Sequence, residues 1–143
     1  MKISINNTEQ HLREHKIMPS VQRIRIFDTL LGTTEHPTVD TIYQSLAKEI
    51  PTLSKTTVYN TLKLFQEKGL VIVVNIEDNE TRYDADTSFH GHFKCQSCGS
   101  VIDFAISKED RKINSLKGFQ VDESHFYLKG ICKKCINKQS INN

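Results

Sequence analysis

The sequence predicts an α+β protein, because helical periodicity in the first half gives way to short β-branched segments after Gly69. Three apolar stripes at helical spacing lie between Ser20 and Lys68, and two short strands, Leu70–Asn75 and Thr81–Asp84, follow them. Three helices followed by a β-hairpin is the plan of a winged helix-turn-helix. The remaining segments predict a small α/β domain that contains two Cys-x2-Cys pairs.

Start and stop signals bound each helix of the first half. A polar helix from Asn7 to His15 comes first, as an extension to the winged-helix plan. The three helices of the plan are predicted within Ser20–Leu31, Thr38–Lys48 and Lys55–Lys68. We expect their buried stripes to contain Val21, Ile24, Phe27 and Leu31, then Val39, Ile42 and Leu46, and finally Val58, Leu62 and Phe65.

The second half of the chain divides into shorter segments. Strands are predicted around His92–Lys94, Val101–Phe104 and Glu123–Gly130, with a helix around Lys108–Leu116 between the last two. The tail, Lys138–Asn143, is expected to fray. The sequence therefore predicts a winged-helix domain over residues 1–85 and a second domain over residues 86–143.

Composition excludes some classes of protein and leaves others open. A chain of 143 residues that is 37% hydrophobic is typical of one ordinary globular domain or two small ones. No apolar run approaches the roughly 20 residues of a membrane span, and the N-terminus lacks a secretory signal, so we expect a cytoplasmic protein without a membrane partner. The net charge of +2 is too small to indicate a nucleic-acid partner by itself.

Four cysteines form two matched pairs, Cys95-x2-Cys98 and Cys132-x2-Cys135. In a reducing compartment this spacing favours a structural zinc ion bound by four thiolates over disulfides. Two unrelated surface pairs and a redox dithiol are the alternatives. A zinc ion bound by four thiolates has no open coordination position, so its expected role is to stabilise a small domain.

The third helix of the winged-helix plan has the composition of a DNA-reading helix. Its first turns are polar and contain Lys55, Thr56, Thr57, Tyr59 and Asn60. Lysine can neutralise a phosphate, threonine and tyrosine can contact a thymine methyl group, and asparagine can pair with adenine. Arg82, in the predicted hairpin, is expected to reach the flanking DNA backbone. The alternative is a winged helix that binds a protein.

A second metal site is indicated by His90 and His92, which share one face of a strand because they are two residues apart. Two carboxylates, Asp84 and Asp103, flank the pair in sequence. Nitrogen and oxygen ligands without sulfur suit iron(II), manganese(II) or zinc.

In their order, the motifs of this chain closely resemble those of the ferric uptake regulator family. The resemblance covers nearly the whole chain and rests on Gln22-Arg23, His36-Pro37-Thr38, Ile42-Tyr43, Ser54–Leu62, Gly69-Leu70-Val71, Arg82-Tyr83-Asp84, His90-x-His92-x2-Cys95-x2-Cys98-Gly99, Asp103-Phe104 and Gly130-x-Cys132-x2-Cys135. The family implies a homodimeric, metal-dependent repressor that binds a palindromic operator in double-stranded DNA. It also implies that the second domain mediates dimerisation.

The resemblance also assigns a regulatory site and a branch of the family. The peroxide-sensing branch uses three histidines and two aspartates, which match His36, Asp84, His90, His92 and Asp103. The branch implies iron(II) or manganese(II) at this site, with peroxide and iron oxidising His36 or His90 and thereby releasing the metal and the DNA. In this interpretation the structural zinc is not the sensor, although cysteine oxidation with zinc loss is another route.

Several alternatives differ from this hypothesis at particular residues. An iron-responsive member would usually have glutamates at positions 84 and 103, and a zinc-responsive member a cysteine near position 84. Phe89 and Gly91 stand where iron sensors often place ligands, which argues against a third site using Asp110 and His125. Met18 replaces a common basic residue, so Arg23 or Lys16 is expected to supply that DNA contact.

An enzyme and a protein-binding adaptor are the two alternatives to a repressor. An enzyme would need a substrate pocket and a separate acid or base, and the sequence indicates neither, so no enzyme and no small-molecule substrate are expected. A zinc-stabilised winged-helix adaptor would bind a protein instead of an operator.

Overall fold

The computed structural model describes residues 7–77 and 79–142, and the chain divides between Thr87 and Ser88 into two compact units. The fold class is confirmed: a winged helix-turn-helix precedes a small α/β unit. No helix within the described ranges is both long and apolar enough to cross a membrane.

The first unit contains four helices. They are α1 (Thr8–Glu14), α2 (Val21–Leu31), α3 (Val39–Leu46) and α4 (Lys55–Glu67). The last three begin at hydroxyl N-caps, since the side chains of Ser20, Thr38 and Ser54 accept hydrogen bonds from backbone amides of the first turn. After α4 the chain reverses at Gly69, whose φ of +80° is a left-handed conformation that glycine adopts without strain.

The helices enclose the larger apolar core. Phe27 of α2 and Phe65 of α4 meet edge to face, with ring centroids 5.6 Å apart. The stripes predicted for α3 and α4 are confirmed, but Val21 of α2 is 70% exposed and the inward positions of that helix are Ile26, Phe27 and Leu30. Val21 is the first residue of α2, beyond the reach of the neighbouring helices, so periodicity alone placed it wrongly.

The wing consists of two short antiparallel strands, β1 (Ile72–Val74) and β2 (Arg82–Asp84). Val73 lies opposite Tyr83, which is buried in the helical core. Because successive residues of a strand face opposite sides, a buried Tyr83 directs Arg82 and Asp84 to the other face.

The second unit is built around a sheet of three strands, β3 (Gly91–Cys95), β4 (Val101–Phe104) and β5 (Tyr127–Gly130), followed by α5 (Lys133–Asn142). The strand order is β4-β3-β5, with β4 antiparallel and β5 parallel to β3. The predicted strands are present, although β5 begins later than expected.

One prediction for this unit is wrong. Residues 108–116 form turns and not a helix, and Ile113 in that segment is 66% exposed. A helix of about nine residues is unstable without an apolar surface to pack against. Of the tail that was expected to fray, residues 138–142 belong to α5, which also contains Cys135, and Asn143 lies outside the described residues.

Candidate metal centres and nucleic-acid interface

All four cysteines converge in the second unit. Cys95 ends β3, Cys135 lies in α5, and the ligand atoms of the four residues lie within 4.8 Å of one another. The Sγ atoms of Cys95 and Cys135 are 3.8 Å apart, and those of Cys98 and Cys132 are 3.9 Å apart. Disulfide sulfurs are about 2.05 Å apart, so these are four free thiols.

The cluster fits a tetrahedral zinc ion. Zn–S bonds of about 2.3 Å give a tetrahedron whose edges are about 3.8 Å, which agrees with both sulfur–sulfur distances. The backbone amides of Cys98 and Cys132 donate to the Sγ of Cys95, which lowers the pKa of that thiol to about 6. These hydrogen bonds favour the thiolate form of Cys95, which is the form that binds zinc.

Three nitrogen and oxygen ligands lie together on the same sheet. His92 of β3 is opposite Asp103 of β4, and its Nε2 is 3.4 Å from Oδ1 of that carboxylate. His90 reaches the other oxygen, with Nε2 3.4 Å from Oδ2. The side chains of His90, His92 and Asp103 are each at most 8% exposed, so this trio is shielded from water.

The geometry of His90 favours metal binding through Nε2. Its Nδ1 lies 2.7 Å from the backbone carbonyl oxygen of Ser88, a distance at which a protonated Nδ1 donates to that carbonyl. The lone pair of His90 is then on Nε2, the ring nitrogen that faces the Asp103 carboxylate, where an ion shared by the two residues would lie. A second partner of this kind fixes the tautomer and orientation of a ligating histidine.

Gly91 lies between the two histidines because no side chain fits there. A Cβ at this position would meet the ring of Phe104 at 2.1 Å, far inside van der Waals contact. The Phe104 ring in turn packs edge to face against Phe126, which limits its freedom to move. An acidic or imidazole ligand at position 91 would therefore require displacement of the Phe104 ring.

A second pair of ligands forms in the first unit. Nε2 of His36 lies 3.2 Å from Oδ2 of Asp84, and their side chains are 3% and 11% exposed. The other Asp84 oxygen accepts a 2.8 Å hydrogen bond from the amide of Asp86, which fixes the carboxylate. His36 has a φ of +55°, a conformation that is uncommon for any residue except glycine and that surrounding contacts must hold.

Arg82 supplies those contacts. Its Nη1 donates to the backbone carbonyl oxygens of Glu35 and His36, at 3.2 and 3.1 Å, while its Nε donates to the carboxylate of Glu77. The side chain is 18% exposed. Arg82 therefore supports the His36 loop, and its contact with the DNA backbone stays a prediction.

The predicted DNA-reading residues lie along the first two turns of α4. Lys55, Thr56, Tyr59 and Asn60 are exposed, and Thr57 is half-buried. Lys55 is not free, since its Nζ lies 2.7 Å from Oδ1 of Asp40 and 5.7 Å from the centre of the Tyr43 ring. This ion pair raises the pKa of Lys55 through its hydrogen bond with Asp40, so the amine remains protonated.

Arg23 belongs to the same surface. It lines a cavity of about 370 Å³ together with Ser20, Thr57 and Asn60, and its Nη1 donates a 2.8 Å hydrogen bond to the carbonyl of Met18. The helix α2 thus brings a guanidinium beside the polar face of α4. The prediction that Arg23 or Lys16 supplies the DNA contact in place of Met18 stays a prediction.

Two polar groups were missed by sequence reasoning. Asp40 gave no signal as a partner of Lys55, because the two residues belong to different helices. His125 was expected to have a packing or hydrogen-bonding role, without named partners. It lies in a chain with Glu123 and Tyr127: its Nε2 is 3.3 Å from Glu123, and its Nδ1 is 3.1 Å from the Tyr127 hydroxyl. The alternation of these three residues along one extended segment could have indicated the chain.

The winged helix, the four-thiolate cluster and the sulfur-free ligand sets define a metal-dependent DNA-binding regulator. A profile of the ferric uptake regulator family matches residues 14–129, and the chain belongs to that family. It is a regulator and not an enzyme.

The relatives define the resemblance more narrowly. The chain is 33% identical over 132 residues to the peroxide operon regulator of Bacillus subtilis (strain 168), covering 90% of this chain and 91% of that protein. The solved structure of the Campylobacter jejuni peroxide stress regulator is 30% identical, with a TM-score of 0.63, and 89% of this chain and 95% of that chain are covered. PerR from Streptococcus pyogenes, solved to explain peroxide sensing and gene regulation, is 34% identical, with a TM-score of 0.51 and 88% of each chain covered.

Proposed function

We propose that this protein is a peroxide-responsive transcriptional repressor that acts in the cytoplasm as a homodimer on a palindromic operator. The observation that carries the proposal is the separation of two kinds of ligand: four thiolates in one cluster, and histidines with aspartates elsewhere. The first set suits a structural zinc ion, and the second suits iron(II) or manganese(II).

One regulatory ion is proposed to bind His36, Asp84, His90, His92 and Asp103. The first unit offers two of the five ligands and the second offers three, so five-ligand coordination would need both. An ion that needs both halves would restrict the orientation of the winged helix and favour the state that binds DNA. Its loss would remove that restriction and release the operator.

The response to peroxide would depend on which metal is bound. Bound iron(II) would supply the electron for reduction of hydrogen peroxide, whereas bound manganese(II) would react poorly. The role of the protein would be to hold the imidazoles of His36 and His90 as the residues that become oxidised. Both are shielded from solvent, so an oxidant formed beside them would meet these imidazoles before it could diffuse away. An oxidised imidazole is a poorer ligand, and metal release follows.

Homodimerisation is supported by an apolar row across the second unit's sheet. Phe93 of β3 lies opposite Ile102 of β4 on one side and Leu128 of β5 on the other, so the three share one face. Ile102 and Leu128 are each 46% exposed. A second copy that covers this face would present two winged helices at a fixed spacing, as a palindromic operator requires.

DNA binding by two metal forms tests the proposal. The full-length, zinc-loaded protein is bound to a fluorescent promoter fragment of its own gene region, anaerobically, with either manganese(II) or iron(II) added. Both forms should bind. A small excess of peroxide should release only the iron form, and peptide mass spectrometry should find one added oxygen on the His36 or His90 peptide.

Each of the other outcomes would support a different function for this chain. Release without histidine oxidation but with zinc loss would assign sensing to the thiolates. An iron form that stays bound and unmodified would leave an iron-responsive repressor. No metal-dependent binding at all would favour the winged-helix adaptor.

A further inference from the structure

We propose that Tyr127 is a second oxidation target of the regulatory site, with His125 as the acceptor of its phenolic proton. This inference rests on the proposed function, because it requires iron(II) at the histidine–aspartate site and hydrogen peroxide as the oxidant. Part of the oxidant formed at the site would react with Tyr127 instead of with His36 or His90. Tyr127 would thereby raise the amount of peroxide that is needed to release the repressor from DNA.

The first step is the position of the phenol. Tyr127 begins β5 directly opposite His92 of β3, so their side chains leave the sheet on the same face. The two rings meet edge on, with centroids 6.0 Å apart. Since His92 also lies 3.4 Å from Asp103, the Tyr127 ring adjoins the ligand trio of the second unit.

The second step is the path for the proton. The Tyr127 hydroxyl lies 3.1 Å from Nδ1 of His125, within the range for proton transfer. Nε2 of His125 lies 3.3 Å from Oε2 of Glu123. In the tautomer whose Nε2–H donates to Glu123, Nδ1 carries the lone pair and accepts from the phenol. Glu123 then stabilises the imidazolium that forms.

Tyr127 differs from other tyrosines of the chain in its position and surroundings. Tyr127 is the only tyrosine in the sequence after Thr87. Tyr83 is buried, and burial raises the pKa of its phenol, which makes loss of a proton harder. Tyr59 is 50% exposed on α4 and serves as a matched control for oxidation by radicals that diffuse through solvent.

One hydrogen peroxide would accept two electrons, one from iron(II) bound at the site and one from Tyr127. Cleavage of the O–O bond by the first electron would yield hydroxide and a hydroxyl radical. The radical would take the second electron from the Tyr127 ring and become a second hydroxide. The phenolic proton would move to Nδ1 of His125, which leaves a tyrosyl radical, an imidazolium and iron(III). Two equivalents of a thiol reductant, oxidised to a disulfide, would return one electron to the tyrosyl radical and one to iron(III), and the proton would move back to the phenol.

The test compares the wild type with Tyr127→Phe, His125→Gln and the control Tyr59→Phe. Each zinc- and iron(II)-loaded protein receives less than one equivalent of peroxide without oxygen. Freeze-quenched samples are examined by electron paramagnetic resonance, and digests by mass spectrometry for oxygen added at tyrosine and histidine. A manganese(II) sample of each protein provides the unreactive baseline, and zinc content with thermal unfolding verifies the fold.

The wild type and Tyr59→Phe should give the same tyrosyl signal, which Tyr127→Phe abolishes. If the phenol and the imidazoles each receive half of the oxidant because they are equally near, the oxidised fraction of His36 and His90 should be about twofold higher in Tyr127→Phe than in the wild type. His125→Gln should weaken the tyrosyl signal although the tyrosine is intact.

Two results would overturn the inference, and they differ. Histidine oxidation that is equal in all four proteins, without a tyrosyl signal or modified Tyr127, would remove the role of Tyr127 and leave the proposed function standing. Absence of histidine oxidation from every variant, with DNA still bound, would overturn the proposed function and the inference together.

Discussion

The two units are stabilised in different ways. The first buries large side chains such as Phe27 and Phe65 from several helices in one apolar core. In the second, a buried cluster consists of Cys95, Cys132 and Cys135, with Phe93 and Ile131 packed against it. Thiols bury little apolar surface, so this cluster contributes little through the hydrophobic effect. From this comparison we expect the first unit to fold without metal and the second unit to depend on zinc.

Zinc removal should have the largest effect, and its effect should be confined to one unit. A structural zinc ion contributes roughly 10–16 kcal/mol of apparent binding free energy in isolated zinc-finger peptides, more than most domains have in reserve. Cys95→Ser, or a strong chelator, should abolish amide protection in β3, β4 and β5 and leave that of α2–α4 in place. Hydrogen exchange read by mass spectrometry measures both regions at once. Equal loss in both units would contradict the comparison.

A cavity in the first unit should have the converse effect. Phe65→Ala removes a fully buried ring and should cost about 3–5 kcal/mol of unfolding free energy in the helical unit. Zinc should remain bound at one ion per chain, as measured by a thiol-displacement assay. Phe119→Ala is the matched control, since Phe119 is 69% exposed and its truncation should leave stability nearly unchanged. Zinc loss in Phe65→Ala would show that the two units do not fold separately.

A methyl group at position 91 should destabilise the second unit by a smaller amount. The Cβ of Gly91→Ala would collide with the Phe104 ring, and overpacking of this kind costs about 1–3 kcal/mol. The double variant Gly91→Ala/Phe104→Ala removes the collision, so the two changes should not be additive. Denaturant unfolding, followed in the zinc-loaded protein, measures the cycle. Additive losses would mean that the ring moves aside without cost.

The smallest effect is expected on the surface of the first unit. Asp40→Asn breaks the pair with Lys55 and leaves the amine available to a phosphate. An exposed ion pair is weak, so operator affinity should rise by roughly fivefold at most, and the gain should shrink at high salt. Glu67→Gln removes one negative charge from the exposed end of α4, away from Asp40, and is the control for a general change of charge. Weaker DNA binding by Asp40→Asn would assign Asp40 itself a role in the interface.

Much of the fold could be predicted because local signals agree with tertiary structure. Local sequence alone indicates the start of α4 at Ser54, its end before Gly69 and the two Cys-x2-Cys pairs. Val21 was placed wrongly because periodicity cannot tell where a helix leaves its neighbours. Residues 108–116 have helical spacing but no apolar surface in this unit to pack against.

The candidate sites were predictable to a different extent. The pair His90 and His92 is visible in the sequence, since a strand puts alternate residues on one face. His36 joined Asp84 only through the family resemblance, because the two residues are far apart in the sequence and a left-handed residue held by Arg82 cannot be foreseen. A hydrogen-bonding role was expected for His125, but its partners Glu123 and Tyr127 were not foreseen, because the sequence does not show which way the side chains of an extended segment turn.

Reciprocal linkage between manganese(II) and operator DNA tests the central claim most directly. Calorimetry gives the affinity for manganese(II) with and without DNA, and anisotropy gives the affinity for DNA with and without manganese(II), both in zinc-loaded protein. The two ratios should be equal and lie at about 5–150-fold. In His36→Ala both ratios should fall to about one, whereas Glu35→Ala, a change of the neighbouring residue, should leave both ratios unchanged. DNA binding that is the same with and without manganese(II), or that survives unchanged in His36→Ala, would contradict the account.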